Sequence, residues 1–186
     1  MSEISPDDPD ADFEDLKAVP ALSQINPVGV YKDREYRSFN VLQVGVFGVG
    51  VSGVKPHSGM KVAANSITST LLTGSPGIIP AASYISLTLE SLYIGCVANT
   101  ASSVTGVPQQ CTVAFTAYQP GSDIAYETIN EQFDPTDKVL SSMAKVTFPS
   151  RWKKMSKISI AIVQATTTSP LAALFFDDIS YELYKS

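Results

Sequence analysis

The stretch Leu174-Phe175-Phe176-Asp177-Asp178-Ile179-Ser180-Tyr181-Glu182-Leu183-Tyr184 alternates in character with a period of two. That is the pattern of a strand with one face turned inward. Phe175, Asp177, Ile179, Tyr181 and Leu183 share the more apolar face, so this face is the expected core face and Asp177 points into it. A carboxylate pointing inward is costly unless it is paired, hydrogen-bonded or bound to a metal. A second acidic stretch, Asp12-Phe13-Glu14-Asp15-Leu16, lies near the other end of the chain. Two arrangements would satisfy the buried acid. In the first, Asp177 staples the first strand to the last through a salt bridge or backbone hydrogen bonds. In the second, Glu14, Asp15 and Asp177, with Asp178, hold a structural calcium, which takes six to eight oxygen ligands.

The rest of the chain repeats the strand signal and nearly lacks helical periodicity. Tyr36 to Phe47 alternates with a break in phase near Gln43 that predicts a bulge. Gly59 to Ile67 is weaker. Tyr84 to Val97 turns Ile85, Leu87 and Leu89 inward, then changes phase to Leu92, Ile94 and Cys96. Gln110 to Tyr118, Ile124 to Phe133, Ala144 to Phe148, Lys157 to Val163 and Phe175 to Tyr184 continue the series. Eight or nine strands with Gly, Pro, Ser and Thr between them predict an all-β fold, an antiparallel β-sandwich or jelly roll, with a closed barrel as the alternative.

At 186 residues the chain is expected to form one domain over residues 12–186, preceded by a disordered acidic leader over 1–11 with Ser-Pro and Asp-Pro steps. No apolar run is long enough to span a membrane. The net charge of −5 argues against nucleic acid, which calls for clustered Lys and Arg. The one basic cluster, Arg151-Trp152-Lys153-Lys154, reads first as a solvated loop.

Cys96 and Cys111 lie on strand-like stretches with a plausible hairpin loop between them, and are read as a structural disulfide. Its loop of about 15 residues would contribute roughly 3 kcal/mol in the chain-entropy model. A redox or metal pair is the alternative, though the C-x-x-C spacing and further ligands are missing. A disulfide implies an oxidising compartment. The lack of any N-x-S/T sequon runs mildly against secretion.

Few segments carry recognisable chemistry. Gly48-Val49-Gly50-Val51-Ser52-Gly53 matches G-x-G-x-x-G, but no helix follows to present a positive N-terminus to a phosphate. A flexible connection is the better reading. His57 is the single histidine, so no two-histidine metal site exists, and no strand-turn-helix elbow presents a serine to it. Glu90, Glu127, Glu131, Asp134 and Asp137 are available for glycoside hydrolysis, but nothing in the sequence pairs them across a cleft.

Four segments in order resemble a group of fungal, mostly secreted, β-sandwich proteins. They are Phe13-Glu14-Asp15-Leu16; Pro56-His57-Ser58-Gly59 with Val62-Ala63; Leu89-Glu90-Ser91-Leu92-Tyr93-Ile94-Gly95-Cys96 with Pro108-Gln109-Gln110-Cys111-Thr112-Val113; and Phe176-Asp177-Asp178-Ile179-Ser180-Tyr181. The C-terminal segment is also similar to carbohydrate-binding sandwiches that hold a structural calcium between the chain ends. The resemblance implies secretion, with a signal peptide removed ahead of the present leader. It further implies kinship with pericyclases, including the hetero-Diels–Alderases that join tropolone quinone methides to sesquiterpenes.

Cycloaddition suits such a chain, because it needs two partners held in near-attack geometry and a donor to polarise a carbonyl, without nucleophile or cofactor. The expected ligand is a small apolar molecule of polyketide or terpenoid kind. Its pocket is expected at one end of the sandwich, between the Gly48 to Gly59 loop and the Trp152 loop. His57, Lys61 and Arg151 are the candidate catalytic groups, and Tyr118 and Trp152 the candidate substrate-binding walls. The alternative is a non-catalytic carbohydrate or cell-wall-binding module that uses exposed aromatic faces. Open strand edges would also allow a homodimer.

Overall fold

Segments rich in Val, Ile, Phe and Tyr, punctuated by Gly, Pro, Ser and Thr, favour pleated strands over helices. In the computed structural model, which describes residues 10–18, 26–44, 53–65, 70, 74–81, 84–100, 103–165 and 172–185, every assigned element is a strand. In chain order these are β1 (Asp10–Ala11), β2 (Pro27–Tyr31), β3 (Arg34–Gln43), β4 (Val54–Lys55), β5 (Lys61–Asn65), β6 (Gly77–Pro80) and β7 (Ser86–Thr100). They continue with β8 (Ser103–Pro108), β9 (Cys111–Tyr118), β10 (Ala125–Phe133), β11 (Ser141–Ser142), β12 (Ala144–Thr147), β13 (Lys157–Ala165) and β14 (Ala172–Tyr184). The fold is all-β and sandwich-like, as the alternation predicted.

Twelve strands form one curled sheet. Its main path runs β10-β9-β13-β6-β3-β5-β14-β7-β12, with β1 added to β14, β2 to β3 and β8 to β7. β4 and β11 form a separate parallel pair. The fourteen strands of the described residues exceed the expected eight or nine, because β1, β2, β4, β6, β8 and β11 had no counterpart in the sequence reading. Asp10 and Ala11 pair with Ser180 and Ile179, so the first described strand does lie beside the last. It starts inside the stretch expected to be leader; residues 1–9 lie outside the described residues.

β3 joins the two halves of the sheet. Arg34 to Arg37 pair with β6, and Asn40 to Gln43 pair with β5. Between them Ser38 has φ +60°, and the inward phase changes there from Tyr36 to Phe39. The break anticipated near Gln43 falls at the strand's end, where the Val44 N–H donates to the Met60 carbonyl at 2.8 Å. The halves then close face to face. Phe176 of β14 lies 5.0 Å from Phe39 and 6.3 Å from Phe115 of β9, between ring centroids, and Phe115 meets Phe148 at 5.1 Å. Each such fully buried side chain contributes roughly 1.5–3 kcal/mol.

Cys96 of β7 and Cys111 of β9 form a disulfide with Cα atoms 6.2 Å apart. It ties one half of the sheet to the other. β8 folds back onto β7, and the Gln109 N–H donates to the Cys96 carbonyl at 3.0 Å, which returns the chain to the bridge.

The phase change predicted between Leu89 and Leu92 has a structural cause. Along β14 the register steps from Asp177 to Ser180 while β7 moves only from Tyr93 to Ser91. The next step is the reverse, Ser180 to Tyr181 against Ser91 to Leu89. Two opposed bulges therefore sit side by side. Both strands change phase and recover alignment.

Candidate functional site

The bulge in β14 sets up the site. In a regular strand neighbouring side chains point to opposite faces. Asp178 has φ +44°, and this kink lets Asp177 and Asp178 both reach the loop that joins β4 to β5, residues 56–60. Ser58 binds both: its N–H donates to Asp177 Oδ2 at 2.9 Å and its hydroxyl donates to Asp178 Oδ1 at 2.8 Å. The other Asp177 oxygen, Oδ1, accepts the Asp178 N–H at 2.9 Å. His57 Nδ1 bonds Asp178 Oδ2, and because the carboxylate can only accept, Nδ1 carries the proton. The imidazole lies flat on Tyr93 of β7, with centroids 3.5 Å apart and planes 16° apart.

The N-terminal acidic stretch reaches the same loop. Glu14 Oε1 accepts the N–H groups of Met60 at 2.7 Å and Lys61 at 2.6 Å, and the Lys61 ammonium donates to the Glu14 main-chain carbonyl. Gly59, at φ +48°, makes room for this. A Cβ at Gly59 would stand 2.7 Å from Glu14 Cγ and closer still to the carboxyl group. On the other side of the loop, Val54 of β4 packs onto Gly95 of β7, where a Cβ would meet Val54 Cγ1 at 2.5 Å. Phe13 and Asp15 go elsewhere. Phe13 is buried against Tyr31 and Tyr36, and Asp15 accepts the Tyr31 hydroxyl.

Asp177 has no exposed surface. Burial, and then the neighbouring Asp178 charge, push its carboxyl up to about 7, against the pull of the Ser58, Asp178 and His57 backbone N–H donors toward the ionised form. The staple expected of Asp177 is therefore made, but to the loop at 56–60 and not to the first strand. Glu14, Asp15 and Asp177 are each engaged by protein donors. Among the described residues no three His, Cys, Asp or Glu side chains form a group able to hold a metal ion.

The remaining candidates stand at another corner. Arg151 is ion-paired to Glu127 of β10, whose carboxylate also accepts the Trp152 indole N–H at 2.6 Å. These two donors hold Glu127 below the usual carboxylate range. Trp152 is fully buried and stacked on Phe148 at 5.6 Å, so it offers no surface to a ligand and no platform to a sugar. Tyr118 is half-buried beneath the Lys157 ammonium, 4.0 Å from its ring centroid.

β7 measures the separation of the two groups. His57 rests on Tyr93, whereas the Lys154 N–H is held by Thr88 and Met155 bridges Leu87. At ~3.3 Å per residue the two corners lie roughly 17–20 Å apart along the strand. His57 and Lys61 stand at the same loop but turn to different partners, Asp178 and Glu14, and Arg151, Tyr118 and Trp152 lie apart from them. The Gly48 to Ser52 part of the expected pocket wall lies outside the described residues. Sequence reasoning missed Asp178 as the partner of His57 and Tyr93 as its floor. No family model matches the chain, and no curated protein matches it.

Proposed function

We propose that this chain is a cofactor-independent cyclase of the pericyclase type, working in the secretory pathway or outside the cell on an apolar polyketide- or terpenoid-like intermediate, with His57 as its polarising donor. The observation that carries this reading is the His57–Asp178 pair. Asp178 occupies Nδ1 and Tyr93 fixes the ring plane, so Nε2 is the nitrogen left for a substrate. In the imidazolium form the Nε2–H donates to a substrate carbonyl, and Asp178 balances the ring's charge. The carbonyl compound becomes more electrophilic toward a bound polyene, and the new bonds form within the substrate pair without a covalent step on the protein.

The neighbouring groups fit a positioning role. The Ser58 hydroxyl donates to Asp178 and the Lys61 ammonium to Glu14, so both hold the loop and neither is poised as a nucleophile. The Cys96–Cys111 disulfide supports an oxidising compartment.

The test is to generate an ortho-quinone methide in the presence of a reactive polyene and resolve the products by chiral chromatography. The wild-type protein should raise the rate and bias the stereochemistry. His57→Ala should lower the rate about 10²-fold, the scale for losing one preorganised donor. Asp178→Asn should fall between them. A product distribution identical to that in buffer would overturn the reading.

A further inference from the structure

Away from the His57 loop, the structure buries a second charged group, and this one is poorly satisfied. Arg34 opens β3 and has no exposed surface. Its Nε–H donates to the Lys32 carbonyl at 3.0 Å, but among the described residues both terminal nitrogens lack a hydrogen-bond partner. The Tyr36 hydroxyl, two residues on and equally enclosed, has none either. The guanidinium lies over the Tyr181 ring, its Cζ 2.9 Å from the centroid, with the Tyr36 ring at 5.6 Å. A ring face engages the flat face of a guanidinium, whereas its N–H donors point outward in its own plane. Cation–π stacking therefore leaves the terminal donors unmet. Asp33, next in the chain, is exposed. Desolvation holds Arg34 below its ordinary range.

A buried cation with unmet donors is costly unless a counter-charge with acceptors joins it. We propose that Arg34, Tyr36 and Tyr181 form an internal site for a small anion, either a halide or the carboxylate of a short acid. The donors define the chemistry. The terminal guanidinium N–H groups and a phenol hydroxyl match an acceptor-only ligand that carries one negative charge. Enclosure sets the size, since a group with no exposed surface around it admits a few atoms at most.

The experiment uses the full chain in sodium gluconate, an anion too large for the site. Sodium bromide and sodium formate are exchanged in separately at constant ionic strength while the thermal midpoint is followed. The wild-type midpoint should rise by a similar step for each tenfold increase in anion. Response to bromide alone assigns a halide, response to formate alone a short carboxylate, and response to both the general class. Arg34→Met should fold in gluconate and show no rise. Tyr36→Phe should keep the rise but shift it to higher concentration. Crystals soaked in bromide should show anomalous density between Arg34 and Tyr36. A wild-type slope equal to that of Arg34→Met would overturn the proposal. If Arg34→Met does not fold, bromide density confined to the surface together with a Tyr36→Phe slope identical to wild type would overturn it too.

Discussion

Asp177 and Arg34 are both ionisable, both fully buried, and solved in opposite ways. Around Asp177 the chain folds a loop so that main-chain N–H groups meet the carboxylate. Around Arg34 it supplies two aromatic rings and a single carbonyl. The acid is satisfied by backbone, which no other molecule need provide, and its burial locks the site loop to β14. The base is left with donors that only an incoming group can meet. Burial of charge thus marks a structural clasp in one place and a ligand site in the other, and the count of partners tells them apart.

The largest expected effect tests the acid. The Asp177 carboxyl is raised from its ordinary 3.8 to about 7, so between those values the folded state holds a proton that the unfolded state has lost. Stability must fall as pH rises through that window, and it stays low above it. At about 1.4 kcal/mol per pH unit, the loss amounts to about 4 kcal/mol. Denaturant midpoints from pH 4 to pH 8 should show it, and Asp177→Asn should flatten the curve. Glu127 and Asp137 are shifted downward, so their contributions have the opposite sign and are complete above their ordinary values of 4.5 and 3.8, which leaves the rest of the window to Asp177. Asp178→Asn should move the Asp177 titration down, because the Asp178 charge helps to raise it. A flat profile in the wild-type protein would mean that the N–H donors keep Asp177 ionised throughout.

A smaller effect tests the clasp itself. Gly59→Ala would place a methyl group where the Glu14 side chain lies, at a φ that L residues seldom adopt. We expect a loss of about 2 kcal/mol, with roughly half from backbone strain and the rest from displacing Glu14 from Met60 and Lys61. In a double-mutant cycle with Glu14→Ala, the loss in the double variant should fall short of the sum of the two single losses. Full additivity would show that Gly59 and Glu14 do not act together.

The two buried charges were unequally legible in the sequence. Asp177 betrayed itself by phase, since it sits among Phe175, Ile179 and Tyr181 in a long alternating run. The paired bulges left their mark as the change from Leu89 to Leu92. Partners were another matter: Ser58 and Asp177 are 119 residues apart, and no local pattern joins them. β6 was invisible because Gly77 to Pro80 is four residues long and begins and ends in strand breakers, although it lies in mid-sheet. Trp152 misled because its neighbours Arg151, Lys153 and Lys154 are all exposed, and it alone turns inward. Arg34 was hidden in the charged run Lys32-Asp33-Arg34-Glu35, which reads as a solvated turn. Its one signal was its shared parity with Tyr36.

The smallest expected effect falls on Arg34, and its smallness is the point of contrast. Truncating a satisfied buried charge strands its partners and costs several kcal/mol, whereas replacing an unsatisfied one with an apolar residue of similar volume is often neutral or stabilising. Arg34→Met removes one donor from the Lys32 carbonyl, which keeps the Tyr181 hydroxyl at 3.3 Å, in a hairpin turn at the edge of the core. In gluconate, equilibrium unfolding should therefore differ from wild type by about 1 kcal/mol or less, with the variant equal or more stable. Adding bromide or formate should reverse the order, since only the wild-type protein gains. A large loss in gluconate alone would show that the tyrosine rings already satisfy the guanidinium, and Arg34 would then be a structural clasp of the same kind as Asp177.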